Sequence, residues 1–441
     1  MSSPVRARTG ERGAARGVAV LLAVASGAWI LLPYNVPLGA MLAAAMVPVW
    51  LPVLRRFRLL LALTALCVVA VVSGVLLSWA AVPMREVLPS ALVERSAMLI
   101  GLIAVVGALV WARGVIGSSG VAIAFGVGLV VGVLPDIGGD ASWRFTYSIP
   151  VTVLALAISA RRGHPATQLA VITALVVVGA LNGSRSNTAM LALAATVVVW
   201  QWANRSLLKG RRRAGNLATL LLLGVAIFFT AQAAILEGFF GEAAQSRSEQ
   251  QIAGSGSLLL GGRPELAASI ALITDHPLGL GSGTVASSAD VISAKTAMLG
   301  IGYDPDNGYV NRYLFGSAIE LHSLAGDFWV WFGLPGLAVC ATIAVIVALG
   351  IDRQLRMGTA SALVVYLAAR FAWDLAFSPA LSSVKLLPLT LALLAVPVAV
   401  RAVKHSSART RAASREADVA AARTATAGRH GGSRGTGRAT A

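Results

Sequence analysis

Charge is scarce in this chain. Only 12% of its 441 residues are Asp, Glu, Lys or Arg, where a soluble domain carries roughly 25%. That excludes an ordinary soluble enzyme. Cysteine is almost absent: Cys67 and Cys340 both lie in apolar runs, outside any metal-ligand spacing, so no disulfide framework is expected. Four of the five histidines, His164, His276, His405 and His430, are too scattered to form a clustered metal site. No Gly-rich phosphate loop and no Ser-His-Asp pattern occurs. Neither a metal nor an organic cofactor is expected.

What is present is apolar. Hydrophobic residues make up 57% of the chain and the mean hydropathy is +0.77, which excludes a disordered chain. Twelve apolar segments are read at 17–33, 37–54, 59–82, 97–112, 117–134, 146–160, 167–181, 188–203, 216–236, 326–350, 359–378 and 385–400. A membrane span needs ~20 such residues. The first follows an arginine-rich stretch like a signal peptide, but further spans follow at once, so it reads as a retained helix. The expected fold is therefore all-α: a polytopic membrane bundle of about twelve spans.

The net charge of +17 suggests a nucleic-acid partner until the charges are located. With a cytoplasmic N-terminus, inner segments 1–16, 55–58, 113–116, 161–166, 204–215, 351–358 and 401–441 hold 26 of 36 basic and 4 of 19 acidic residues. The outer side, counting Lys385 and Asp327 at span ends, holds 9 basic and 14 acidic. The faces are thus +22 and −5, as the positive-inside rule requires. Basic residues spread over many short loops leave no nucleic-acid footprint. The chain divides into a basic cytoplasmic N-terminus (1–16), nine spans (17–236), an extracytoplasmic loop (237–325), three spans (326–400) and a disordered basic cytoplasmic tail (401–441). The tail is expected to have some affinity for anionic lipid.

The long loop is where chemistry is expected, because long loops in compact proteins are usually functional. A helix is predicted from Arg263-Pro264-Glu265 to Thr274, with Pro near its first turn. A breaker-rich turn, Asp275-His276-Pro277-Leu278-Gly279-Leu280-Gly281-Ser282-Gly283, ends it. Tyr309, Arg312, Tyr313, Ile319 and His322 keep helix-compatible spacing over 308–324. At His322 an imidazole, the one side chain that readily exchanges a proton at neutral pH, suits a general base; an interfacial histidine bonded to a neighbouring carbonyl fits the same position.

Arg185, in Asn182-Gly183-Ser184-Arg185-Ser186-Asn187, offers a planar fork for phosphate or a snorkelling anchor. Arg263, Arg144 and Arg312 also face outward and can hold an anion. Asp304 and Asp306 have the spacing of a divalent-ion pair, but Asp-Pro and Asn-Gly favour a simple turn. Arg370 and Asp374, four apart, read as an ion pair on one helix face.

Three of these segments together resemble the bacterial O-antigen ligase/polymerase family of integral-membrane glycosyltransferases. They are Gly183-Ser184-Arg185-Ser186, then Gly262-Arg263 with His276-Pro277-Leu278-Gly279-Leu280-Gly281, then His322-Ser323 with Gly333 and Gly336. The match covers about Asn182 to Val339; the first six spans match only in hydropathy. Ser323 stands where the family has Asn, and Trp331 where an acid is common.

The resemblance implies transfer or polymerisation of a polyprenyl-diphosphate-linked glycan onto an acceptor hydroxyl, on a glycan or glycolipid, at the outer face of the bacterial cytoplasmic membrane. The mechanism it implies is inverting and metal-independent. His322 would be the base, Arg185 and Arg263 would hold the diphosphate, and Arg144 and Arg312 are further substrate-binding candidates. A transporter or flippase of a lipid-linked sugar is the competing class. The lack of mirrored halves weighs against inverted-repeat transporters.

Overall fold

The computed structural model describes residues 4–136, 142–203, 263–316 and 318–397, together with 222–224, 226, 246 and 249. The segment expected over 216–236 lies almost entirely, and the tail 401–441 wholly, outside the described residues. Met1–Val396 form one compact unit and Pro397–Ala441 a second; all the described helices belong to the first.

The architecture is helical throughout. A single antiparallel pair of two-residue strands, β1 (Leu31–Leu32) and β2 (Val36–Pro37), is the only sheet among the described residues. The basic N-terminal stretch does not stand apart from the first apolar segment, because α1 runs unbroken over Pro4–Ala28. Segment 37–54 forms two short helices, α2 (Leu38–Ala45) and α3 (Val47–Leu54), separated at Met46, with prolines in α3. Then follow α4 (Arg58–Ala81) and α5 (Pro89–Gly132). The two segments read at 97–112 and 117–134 both lie in α5, with one non-helical residue, Gly117, between them.

Among the described residues, four helical stretches are long and apolar enough to cross a membrane: Arg58–Ala81, Pro89–Asp136, Trp143–Arg162 and Leu334–Met357. The outer face of α4 is suited to hydrocarbon, since Val68, Val72, Leu76 and Trp79 share one side and are all more than half exposed. Such a belt is compatible with a multi-pass membrane protein.

Small residues hold α1 against α5. Ala19, Ala23 and Gly27 recur every four residues on one helix, Ala124, Gly128 and Gly132 on the other. A Cβ at Gly27 would strike the Phe125 carbonyl, and one at Gly128 the Val24 carbonyl. Without a hydrophobic driving force between helices in lipid, close backbone contact of this kind drives association.

Further helices among the described residues are α6 (Ser148–Arg162), α7 (Pro165–Leu181), α8 (Arg185–Ala203), α9 (Glu265–Asp275), α10 (Ser288–Gly300), α11 (Leu324–Phe332), α12 (Leu334–Met357), α13 (Ala362–Phe377), α14 (Ala380–Ser383) and α15 (Leu387–Leu394). The predicted helix from Arg263 is α9, with Pro264 as its N-cap. The helix expected over 308–324 does not continue: a π-helical turn at Val310–Leu314 is followed, among the described residues, by irregular chain until Leu324. Helix-compatible spacing was satisfied there by two unrelated pieces of backbone.

Candidate functional site

The breaker-rich turn after α9 enters the bundle instead of lying over it. Amides of Leu280 and Gly281 donate to the Val330 carbonyl at 2.8 and 2.9 Å, and Ser282 N donates to Gly74 O at 3.2 Å. Val330 lies in the last turn of α11, whose final carbonyls have no partner within the helix. Ser73 Oγ takes another, donating to Phe332 O at 2.9 Å, and Trp329 Nε1 returns a bond to Pro277 O at 3.2 Å. The glycines allow this approach. A Cβ at Gly279 would lie 2.6 Å from Trp329 O and 3.0 Å from Gly333 Cα. Two of the motifs picked out in the sequence thus pack on each other, glycine to glycine.

His322 sits on the irregular chain just before α11, half-buried, with φ +53. A non-glycine residue in this region costs of order 1–3 kcal/mol and persists only where its surroundings impose it. Asp327 supplies that constraint. Completely buried, its carboxylate accepts from Leu321 N at 2.5 Å and from Ala380 N at 2.7 Å. It ties the residue before His322 to the start of α14. Ser323 caps α11 by accepting from Gly326 N and donates to Leu375 O at 3.0 Å.

His322 Nδ1 lies 3.3 Å from Glu320 O. A carbonyl can only accept, so this contact puts the ring proton on Nδ1 and leaves Nε2 as the basic nitrogen. Burial raises the Glu320 carboxyl above its usual range, against the pull of His322 and Arg95.

The His322 ring lies 5.8 Å from the ring of Tyr309, which in turn lies 5.5 Å from Tyr313. The Tyr309 hydroxyl donates to the buried Glu265. Burial and that carboxylate push the Tyr309 phenol well above its ordinary range, and Arg263 is near enough to oppose them. Arg263 itself lies 5.4 Å over Trp373 and 5.8 Å over Phe377. Tyr309 therefore has the His322 ring as a neighbour and lies within electrostatic reach of Arg263.

Helix α13 collects these parts. Trp373 and Phe377 hold Arg263, and Leu375 receives Ser323. Further along it, Arg370 Nε lies 3.0 and 2.9 Å from the two oxygens of Asp374, the ion pair read from the i,i+4 spacing. Tyr366 donates to Asn187 Oδ1 at 2.7 Å. Asn187 is two residues beyond Arg185, the half-buried first residue of α8, so Arg185 is joined to the same helix one step removed. Gly183, at φ +68, makes the turn from α7 into α8.

Arg144 and Arg312 are exposed. Arg144 lies over its own neighbour Phe145 at 4.9 Å, and Arg312 shares the π-helical turn with Tyr313. Among the described residues, neither side chain forms a hydrogen bond or ring contact with Tyr309 or His322. Asp304 and Asp306 form a turn: Asp304 Oδ1 accepts from Asp306 N at 2.9 Å, and Asp306 pairs with Lys295 at 2.7 Å. Among the described residues no three His, Cys, Asp or Glu gather as metal ligands.

Three features escaped sequence reasoning. Helix α10 was signalled by the capping box Ser287-Ser288-Ala289-Asp290, Ser287 and Asp290 bonding each other's amides. Asp327 was signalled only as an acid inside an apolar run. No local signal marked Arg85, which grips Asp290 through Nε at 3.0 Å and Nη2 at 2.9 Å while His276 Nε2 lies 2.7 Å from the same carboxylate. His276 is thereby held to the protein's own ion pair.

Burial alone would raise the Asp290 carboxyl, but bonds from Arg85, Ser287 and His276 outweigh it and hold the group well below the usual carboxylate range. A depressed folded pKa stabilises above the unfolded value, about 3.9, and the gain is lost as pH falls towards the folded one. Thermal unfolding in detergent is therefore expected to fall off below about pH 4, and to do so less steeply in Asp290→Asn. Equal acid sensitivity in the two chains would remove Asp290 as the cause.

Searches of family models, of curated proteins and of solved structures find no match to this chain.

Proposed function

We propose that the chain is a membrane glycosyltransferase of the O-antigen ligase/polymerase type. It acts on a polyprenyl-diphosphate-linked glycan at the outer face of a bacterial cytoplasmic membrane, with both termini cytoplasmic, about twelve spans and 237–325 as the outer loop. The observation that carries this reading is the constrained His322, with its basic nitrogen on the ring edge away from Glu320 O and its ring 5.8 Å from that of Tyr309.

In this mechanism His322 Nε2 takes the proton of an acceptor hydroxyl. The oxygen attacks the anomeric carbon from the face opposite the carrier, the bond to the diphosphate breaks, and configuration inverts. The diphosphate leaves with the bonding pair. Arg263 and Arg185 neutralise its growing charge, a task two guanidinium groups can perform without a metal. The carrier reaches the site laterally through the bilayer, which accounts for the apolar exterior.

The test is a purified chain in vesicles, supplied with a carrier-linked glycan and an acceptor in the presence of a chelator. Transfer is expected, and Arg263→Ala should lower kcat by about 10²–10³, the usual loss for one charge-stabilising donor. Movement of the glycan across the vesicle with no transfer would instead favour the transporter reading.

A further inference from the structure

A cavity of about 220 Å³ lies away from the motifs, between the β1–β2 hairpin, α5 and the chain around α14 and α15. Its walls are mostly apolar, with Met98, Leu102 and Val384 among them, but two opposite charges also line it: Glu94 and Lys385. They are not paired with each other. Glu94 accepts from Asn35 Nδ2 at 2.9 Å, and Lys385 Nζ lies 5.9 Å over the Trp29 ring. Among the described residues, three of the four non-glycine residues at positive φ, Trp29, Tyr34 and Asn35, cluster in or just before this hairpin, and two of them line the cavity. Strain of this kind concentrates at ligand-holding positions.

We propose that this cavity binds a zwitterionic phospholipid with a primary amine, phosphatidylethanolamine. Lys385 faces the phosphate, Glu94 accepts from the ammonium, and a stretch of one acyl chain enters the apolar walls. A purely anionic lipid would leave Glu94 opposed to like charge, and a choline headgroup has no N–H to donate. A lipid fits better than a peptide because the apolar surface continues outside the cavity. Ile30, Leu31, Met41 and Leu42 on the adjoining hairpin and α2 are all exposed, and an interfacial Trp beside a Lys is a usual anchor at headgroup depth. The inference rests on the membrane placement and not on glycan transfer.

The experiment titrates brominated-chain phosphatidylethanolamine into the detergent-solubilised full chain and reads tryptophan quenching. Trp29→Phe isolates the signal of Trp29 from those of exposed tryptophans such as Trp79 and Trp202. A saturable quench that Trp29→Phe removes is expected, with phosphatidylcholine and phosphatidylglycerol of the same chains at least tenfold weaker. Lys385→Ala should weaken phosphatidylethanolamine about tenfold, with Lys385→Arg restoring it, and Glu94→Gln should abolish the preference over phosphatidylglycerol. Equal quenching by all three lipids, a preference for phosphatidylglycerol, or selectivity unchanged in variants that keep the parent unfolding temperature overturns the proposal. Because binding is read without turnover, a chain with no transferase activity leaves this result standing.

Discussion

His322→Ala inserts into membranes and unfolds like the parent chain, yet transfers no glycan in the vesicle assay. General-base catalysis contributes about 10²–10⁴ in rate, so residual transfer should fall below ordinary detection. The positive φ of His322 provides a sharper control. Alanine keeps a β-carbon in the left-handed region, whereas glycine adopts it at no steric cost. His322→Gly is therefore expected to be as stable as the parent or about 1 kcal/mol more stable, while equally inactive. Loss of activity with gain of stability separates an imidazole used in chemistry from one that only anchors the loop. Parental turnover by either variant would end the base assignment, and a variant that loses stability with activity would point to the interfacial anchor.

Gly281→Ala is expected to cost several kcal/mol and to deplete folded protein from the membrane. The added methyl would stand 2.5 Å from Ser78 N and 2.7 Å from Ser78 Oγ, at φ +112. Overpacking of this kind costs about 1–3 kcal/mol, and the backbone strain adds a similar amount. Thermal unfolding in detergent measures the sum. The neighbouring Gly279→Ala and Gly333→Ala changes should be non-additive, because a methyl at Gly279 would lie 3.0 Å from Gly333 Cα and one at Gly333 would lie 2.4 Å from Leu278 O, so both press on the same backbone contact. Additive effects would show that the two motifs fold independently of each other.

These two predictions rest on different kinds of legibility. His322 stood out by its residue type, since an imidazole is rare in a chain with five. Its backbone did not: the spacing of Tyr309, Tyr313 and His322 fitted a helix, and the chain instead breaks after Leu314. The break brings the Tyr309 ring against His322, an encounter no periodicity announces. Gly279 and Gly281 read correctly as breakers, but a breaker's usual place is the surface. The burial of Gly281 and the close approach of half-buried Gly279 follow from the unpaired carbonyls at the end of α11, which only the folded bundle presents to them.

Local pattern was enough for the helical class, the start of α9 at Pro264 and the Arg370–Asp374 pair, because each depends on residues within a turn or two of one another. The grip of Arg85 on Asp290 spans 205 positions, and that of Asp327 on Ala380 spans 53. Nothing local selects such partners. They meet because each helix can bury its small-residue face against few others, and the choice made by the whole set decides which charges end up buried together.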